Sequence, residues 1–130
     1  MVVGSAGLFC LALNVYFEAR SEDLAAQYAV AEVTLNRVAS PDFPDDVCEV
    51  VWQRKQFSWT HDGKSDKPRD TKAWRRAVSV AAYALEDDGH TVVGYDALYY
   101  HADYVNPYWA RTYERVAKVG RHIFYRMKKG

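Results

Sequence analysis

Apolar positions set the first element. After Gly4-Ser5, Leu8, Leu11, Ala12 and Val15 recur at helical spacing, which predicts a buried helix running to about Ala19 or Arg20. Ser21 offers an N-cap for a second helix, with Glu22 and Asp23 in a first turn where negative charge is favoured. Ala25, Ala29, Val33 and Leu35 would form its buried side, and it should end near Ala39. Ser40-Pro41-Asp42-Phe43-Pro44 reads as a turn, because each proline disfavours helix at the residue before it. Asp45 or Asp46 can cap a short third helix carrying Val47, Val50 and Val51.

Gln56-Phe57-Ser58-Trp59 reads as extended, and residues 61–70 as an exposed polar loop containing Gly63 and Pro68. Asp70 can cap a fourth helix on which Trp74, Ala77, Val78, Ala81, Ala82 and Leu85 keep a helical period. Gly89 would end it in the left-handed region, followed by a short connector over 91–94. Residues 97–101 have strand character, Asn106-Pro107 marks a turn, and 116–125 reads as a hairpin broken at Val119-Gly120. The pattern is mainly α with a small β element, as one domain over residues 1–130. A chain of 130 residues buries roughly two thirds of its unfolded surface, enough for a core without staples.

Composition changes this picture at three points. Aromatic residues make 15% of the chain, which suits a ligand groove as well as a core, since Tyr and Trp join an apolar face to a polar tip. The formal net charge is zero, which argues against a dedicated nucleic-acid binder, although the tail is locally basic from Arg121 to Lys129. Cys10 and Cys48 either form one bridge or remain as two buried thiols; two cysteines make no disulfide framework and no zinc spacing. No apolar stretch is long enough to span a bilayer, and the apolar start lacks the basic leader of an export signal.

Candidate chemistry concentrates in Asn14-Val15-Tyr16-Phe17-Glu18-Ala19-Arg20-Ser21-Glu22. Glu18 falls on the helix face of Leu11 and Val15 and is flanked by aromatic rings. Poor solvation there would favour a neutral carboxyl, the form a proton donor needs. The alternative is a solvated ion pair with Arg20 or a C-terminal arginine. Glu32 lies on an alanine-rich face and needs a partner, in a cleft or in the core. Gln56-Phe57-Ser58-Trp59 and Tyr99-Tyr100-His101 could wall a cleft, their rings stacking on sugar faces while Gln56, Ser58 and His101 bond to polar groups, or belong to an ordinary small sheet. His61, His90, His101 and His122 are scattered, so neither metal nor cofactor is expected, and no nucleotide-loop or serine-hydrolase pattern occurs.

Several segments, in order, resemble the SleB-type cell-wall hydrolases, which include the spore-cortex-lytic enzymes. The stretch from Leu11 to Glu22 resembles the family's opening motif, and Ala29-Val30-Ala31-Glu32-Val33-Thr34-Leu35-Asn36-Arg37-Val38 its second helix. Phe43-Pro44 and Val47-Cys48-Glu49-Val50-Val51 resemble its short third helix, and Gln56-Phe57-Ser58 its polar strand. Ala97-Leu98-Tyr99-Tyr100-His101 and Lys118-Val119-Gly120-Arg121-His122-Ile123-Phe124 resemble its C-terminal part. The resemblance implies a lysozyme-like fold related to lytic transglycosylases, peptidoglycan as partner, and cleavage of the β-1,4 bond between N-acetylmuramic acid and N-acetylglucosamine. It implies that Glu18 is the catalytic carboxyl group. As acid and base, Glu18 would act with Glu32, Gln56, Ser58, Tyr100 and His101 expected toward substrate. Ser21 stands where the family often has Gly, so the turn after Glu18 is expected to differ.

Such a protein would act as a monomer in the cell wall or periplasm. It would be either a phage lysis enzyme released through a holin or a domain of a bacterial autolysin or germination enzyme. Two competing readings are a non-catalytic peptidoglycan-binding domain, which would bind sacculi without releasing fragments, and a zinc amidase, which a chelator would silence.

Overall fold

The computed structural model describes residues 4–53, 56–86 and 92–128. Four α-helices precede a three-stranded antiparallel sheet. The first, α1 (Ser5–Ala19), is buried on most of its circumference through Cys10, Leu11, Ala12, Leu13, Asn14, Val15 and Tyr16. Its apolar residues spread beyond a single stripe, so it becomes the helix around which the others pack.

The second helix, α2 (Leu24–Ala39), is capped by Asp23, whose side chain accepts the Ala26 N–H at 3.1 Å. The cap is therefore Asp23 and not Ser21. Three residues of turn follow α1, and the exposed Ala25 falls on the first turn's outer side while Ala26 and Ala29 are buried. Asp46 caps the short α3 (Val47–Val51) by accepting the Glu49 N–H. A disulfide between Cys10 and Cys48 ties α3 to α1, with Cα atoms 5.3 Å apart.

The 56–59 segment is not extended. It turns and enters a 3-10 helix at Ser58–Thr60, while Phe57 and Trp59 are buried. Burying two large rings two residues apart draws the chain inward at a place where, among the described residues, no strand pairs with it. Asp70 accepts the Ala73 N–H at the start of α4 (Thr71–Glu86), which buries Ala77, Val80 and Ala81. The expected helix end at Gly89, and His90, Thr91 and Lys129, lie outside the described residues.

Strands β1 (Ala97–Ala102), β2 (Glu114–Val119) and β3 (His122–Arg126) form a sheet in the order β1-β3-β2. A second 3-10 helix, Tyr108–Arg111, leads into β2. The β2–β3 turn carries Gly120 at φ 57°, and a Cβ there would lie 3.1 Å from both the Ala26 Cβ and the Glu22 carboxylate. The hairpin thus rests directly on the start of α2, where only glycine fits easily.

One core lies among the helices, and a second joins α2 to the sheet through Ala29, Val30, Val33, Ala97 and Phe124. A polar stripe on α2 fixes the sheet's position. Glu32 accepts the Val92 N–H at 2.6 Å, Asn36 donates to the carbonyls of Gly94 and Ala97, and Arg37 donates to the Leu98 carbonyl at 2.8 Å. Glu32 and Asn36 stand four positions apart on one helix face, Arg37 follows on its flank, and together they grip the chain entering β1. Each such bond contributes about 1 kcal/mol, and more where the partner is charged.

Candidate active site

Glu18 occupies the last turn of α1, half-buried, and lines a groove of about 810 Å³. Tyr16, Phe17 and Trp59 form the groove's aromatic surface beside it. Phe17 and Trp59 are stacked with centroids 4.9 Å apart. Asn14, one helical turn before Glu18, fixes that indole: Trp59 donates its ring N–H to the Asn14 Oδ1 at 2.8 Å, and Asn14 donates to the Thr34 hydroxyl at 3.3 Å. Leaving a buried amide unpaired would cost about 1–3 kcal/mol, so the Asn14 pairings set the helix and the ring in register.

Tyr100 reaches Glu18 from β1, donating its hydroxyl to the Glu18 Oε1 at 2.6 Å. Burial pushes the Glu18 carboxyl above the ordinary glutamate range, and the Tyr100 hydrogen bond and the Arg37 charge oppose that rise. Burial also holds the Tyr100 hydroxyl well above the usual phenol range, reinforced by the neighbouring Glu18 carboxyl, so it stays a donor. A carboxyl that keeps its proton at higher pH, open to a groove on one side and fixed by a phenol on the other, can donate to a bound oxygen and later take a proton back.

The other expected site residues separate. Ser58 lines the groove with Glu18. Tyr100 touches Glu18 without lining the groove. Gln56 is exposed and accepts from Arg37 at 3.3 Å. Glu32 is buried on α2 and bound to the Val92 N–H, outside the groove lining. His101 points to the sheet's other face, where its Nε2 meets the Tyr125 hydroxyl at 2.8 Å and its ring packs on Trp109. The strand period explains this, since neighbours on β1 face opposite ways.

Sequence reasoning placed Trp59 in a possible cleft wall and missed Tyr104 and a set of cations that line the groove. Arg20 enters the groove lining beyond the end of α1, and Lys64, Lys67 and Arg69 from the 61–70 loop. Asn14 signals how Trp59 is held, because a polar residue in an apolar helix face demands a buried partner.

Glu22 holds the hairpin and not the groove. Its Oε1 accepts the Arg121 N–H at 2.9 Å and lies 3.3 Å from the His122 Nδ1. Burial lowers the affinity of His122 for a proton, and Glu22 opposes this. Among the described residues no group of three His, Cys, Asp or Glu could hold a metal ion, and no helix is long and apolar enough to cross a membrane.

Known proteins are similar to this chain in sequence and fold. The model of the Cell Wall Hydrolase family matches residues 21–125, beginning just after Glu18. The chain is 36% identical over 114 residues to a spore cortex-lytic enzyme of Halalkalibacterium halodurans, covering 88% of this chain and 33% of that protein. It is 34% identical over 116 residues to the spore cortex-lytic enzyme of Bacillus subtilis, covering 88% of this chain and 35% of that protein. The chain therefore spans about a third of the length of these curated relatives. In three dimensions it is similar to the catalytic domain of the germination-specific lytic transglycosylase SleB from Bacillus anthracis. That match has a TM-score of 0.79 and 33% identity, covering 95% of this chain and 96% of that one. The catalytic domain of the Bacillus cereus SleB protein superposes with a TM-score of 0.79 at 31% identity, covering 96% of this chain and 93% of that one. With its helical body, small sheet and lysozyme-like fold, this chain belongs to the cell wall hydrolase family.

Proposed function

We propose that this chain is a catalytic domain that cleaves the glycan strand of peptidoglycan as a lytic transglycosylase, with Glu18 as its acid and base. The bond cut is the β-1,4 link from N-acetylmuramic acid to N-acetylglucosamine. The observation that carries this is a half-buried carboxyl of raised proton affinity, held by Tyr100 at 2.6 Å and lining an aromatic-sided groove. The names of the similar solved domains support it.

Glu18 starts neutral and protonates the glycosidic oxygen as the bond breaks and the sugar gains oxocarbenium character. The Glu18 carboxylate so formed then accepts the proton of the muramic acid's own 6-hydroxyl, which closes on the anomeric carbon to give a 1,6-anhydro end. A second carboxylate would favour water or a covalent intermediate instead. The groove's other carboxylates are engaged elsewhere: Asp70 caps α4, and Asp62 accepts the Lys64 N–H at 2.9 Å. Glu32 is bound to the Val92 N–H in the segment before β1. That arrangement supports the single-acid route.

Glu18→Gln keeps the shape and the Tyr100 contact but has no proton to give. Release of soluble fragments from sacculi should fall by roughly two to four powers of ten, with the thermal transition no lower than in the unaltered protein. Mass spectrometry of the unaltered protein's products should show anhydro ends, one water lighter than reducing ends. Full release by the variant would remove Glu18 from the mechanism, and reducing ends alone would replace the anhydro route with hydrolysis. Binding to sacculi with no release of fragments by either protein would favour a non-catalytic binding domain.

A further inference from the structure

The groove beside Glu18 is more basic than the glycan alone would require. Arg20, Lys64, Lys67 and Arg69 all line it and are exposed. None is ion-paired with a carboxylate among the described residues; Arg20 lies over the Tyr16 ring at 4.9 Å. Against these four cations stand two further carboxylates, Asp62 and Asp70, each already accepting a backbone N–H. Three of the cations lie in six residues of one loop, so they form a single charged wall.

Apart from the lactyl carboxyl of muramic acid, which an attached stem peptide converts to an amide, N-acetylated sugars are neutral. Their hydroxyls and acetamides are met by neutral donors and acceptors, and Ser58 and Ser65 supply these in the same groove. A lysine is a strongly hydrated point charge, and placing several together unpaired repels unless an anion arrives. Where its muramic acids carry stem peptides, the lactyl groups are amidated and the carboxylates of a peptidoglycan strand are those of the peptides. A groove of about 810 Å³ has room for a disaccharide with part of a side branch.

Building on the glycan-cleaving reading above, we infer that Lys64 and Lys67, with Arg69, bind stem-peptide carboxylates and so select glycan that still carries its anionic peptides. The phosphates of other wall polymers offer the same charge, and the experiment separates the two sources. Because both lysines are exposed, their attraction acts mainly on capture and is screened by salt.

The test is co-sedimentation of the Glu18→Gln protein, which holds sacculi without cutting them. Three preparations are compared: untreated sacculi, sacculi stripped of phosphate polymers with hydrofluoric acid, and stripped sacculi whose carboxylates are amidated with carbodiimide and ethanolamine. Binding to untreated and stripped sacculi should match. Amidation should raise the half-saturating concentration roughly three- to tenfold, the scale of two or three exposed ion pairs. Adding Lys64→Ser and Lys67→Ser should produce the same rise on stripped sacculi, no further rise on amidated ones, and a weaker dependence on salt.

Equal binding to stripped and amidated sacculi overturns the inference and needs no lysine variant to fold. So does a loss of binding on phosphate removal alone, which assigns the charge to the other polymers, or no binding to any preparation. Cleavage is read separately from the unaltered protein's products. Carboxylate-dependent binding without cleavage would therefore sink the enzymatic reading and leave the charge reading standing.

Discussion

Tyr100 and Glu18 come from segments 82 residues apart and meet at 2.6 Å. The helix pattern around Leu11 and Val15 made Glu18 legible as a poorly solvated carboxyl, and the resemblance named its role. Nothing local showed which neighbour holds it, because that contact depends on how β1 lies across α1. Burial raises the proton affinity of Glu18 and the Tyr100 hydroxyl lowers it, since a donated hydrogen bond favours the ionised form. An acid catalyst works only while protonated, so the rate should fall as pH rises through the Glu18 midpoint. Tyr100→Phe removes the larger of the two opposing influences and leaves the Arg37 charge. The high-pH limb of the rate profile should therefore move to higher pH, and the plateau rate should drop about tenfold as the carboxyl loses its positioning contact. A pH–rate profile on sacculi checks both. A limb shifted to lower pH would contradict this ordering.

At the scale of elements, the caps and turns read well where one residue decides the geometry. Asp46 and Asp70 cap as expected, and Gly120 sits at the hairpin turn with positive φ. Ser21 did not cap, because three turn residues intervene before α2 and Asp23 is the one whose side chain reaches back to Ala26. Glu32 was legible only as a buried acid needing a partner. That the partner is the Val92 N–H follows from where the sheet docks, which periodicity does not encode.

The two cysteines were similarly undecided until α1 and α3 were seen side by side. Their bridge joins residues 38 apart, and closing such a loop in the unfolded chain stabilises the fold by about 3–4 kcal/mol. The double variant Cys10→Ser and Cys48→Ser should lower the Tm by roughly 10 °C in a calorimetric scan. It should leave the activity of the folded protein near its original level, because the bridge lies outside the groove lining. An unchanged Tm would mean that the helices pack equally well without it.

Across the whole molecule, the mainly helical plan with a small sheet was readable from periodicity and turn residues, while the shape of the groove was not. Tyr99, His101, Trp109, Tyr113 and Tyr125 gather on the sheet face away from Glu18, so much of the aromatic excess packs there and not in the groove. The groove takes its rings from Tyr16, Phe17, Trp59 and Tyr104 and its charge from a loop whose sequence looked merely solvated. Three-dimensional juxtaposition gives that loop its meaning, as it gives Tyr100 its own.

The mechanism depends on the proton that Glu18 keeps. Carbon-13 titration of the Glu18 carboxyl, assigned by its disappearance in Glu18→Gln, reads that proton directly. A midpoint clearly above the ordinary glutamate value of 4.5 is the predicted result. A midpoint at or below 4.5 would show a carboxylate ionised throughout the working range, and would contradict the role of Glu18 as the acid.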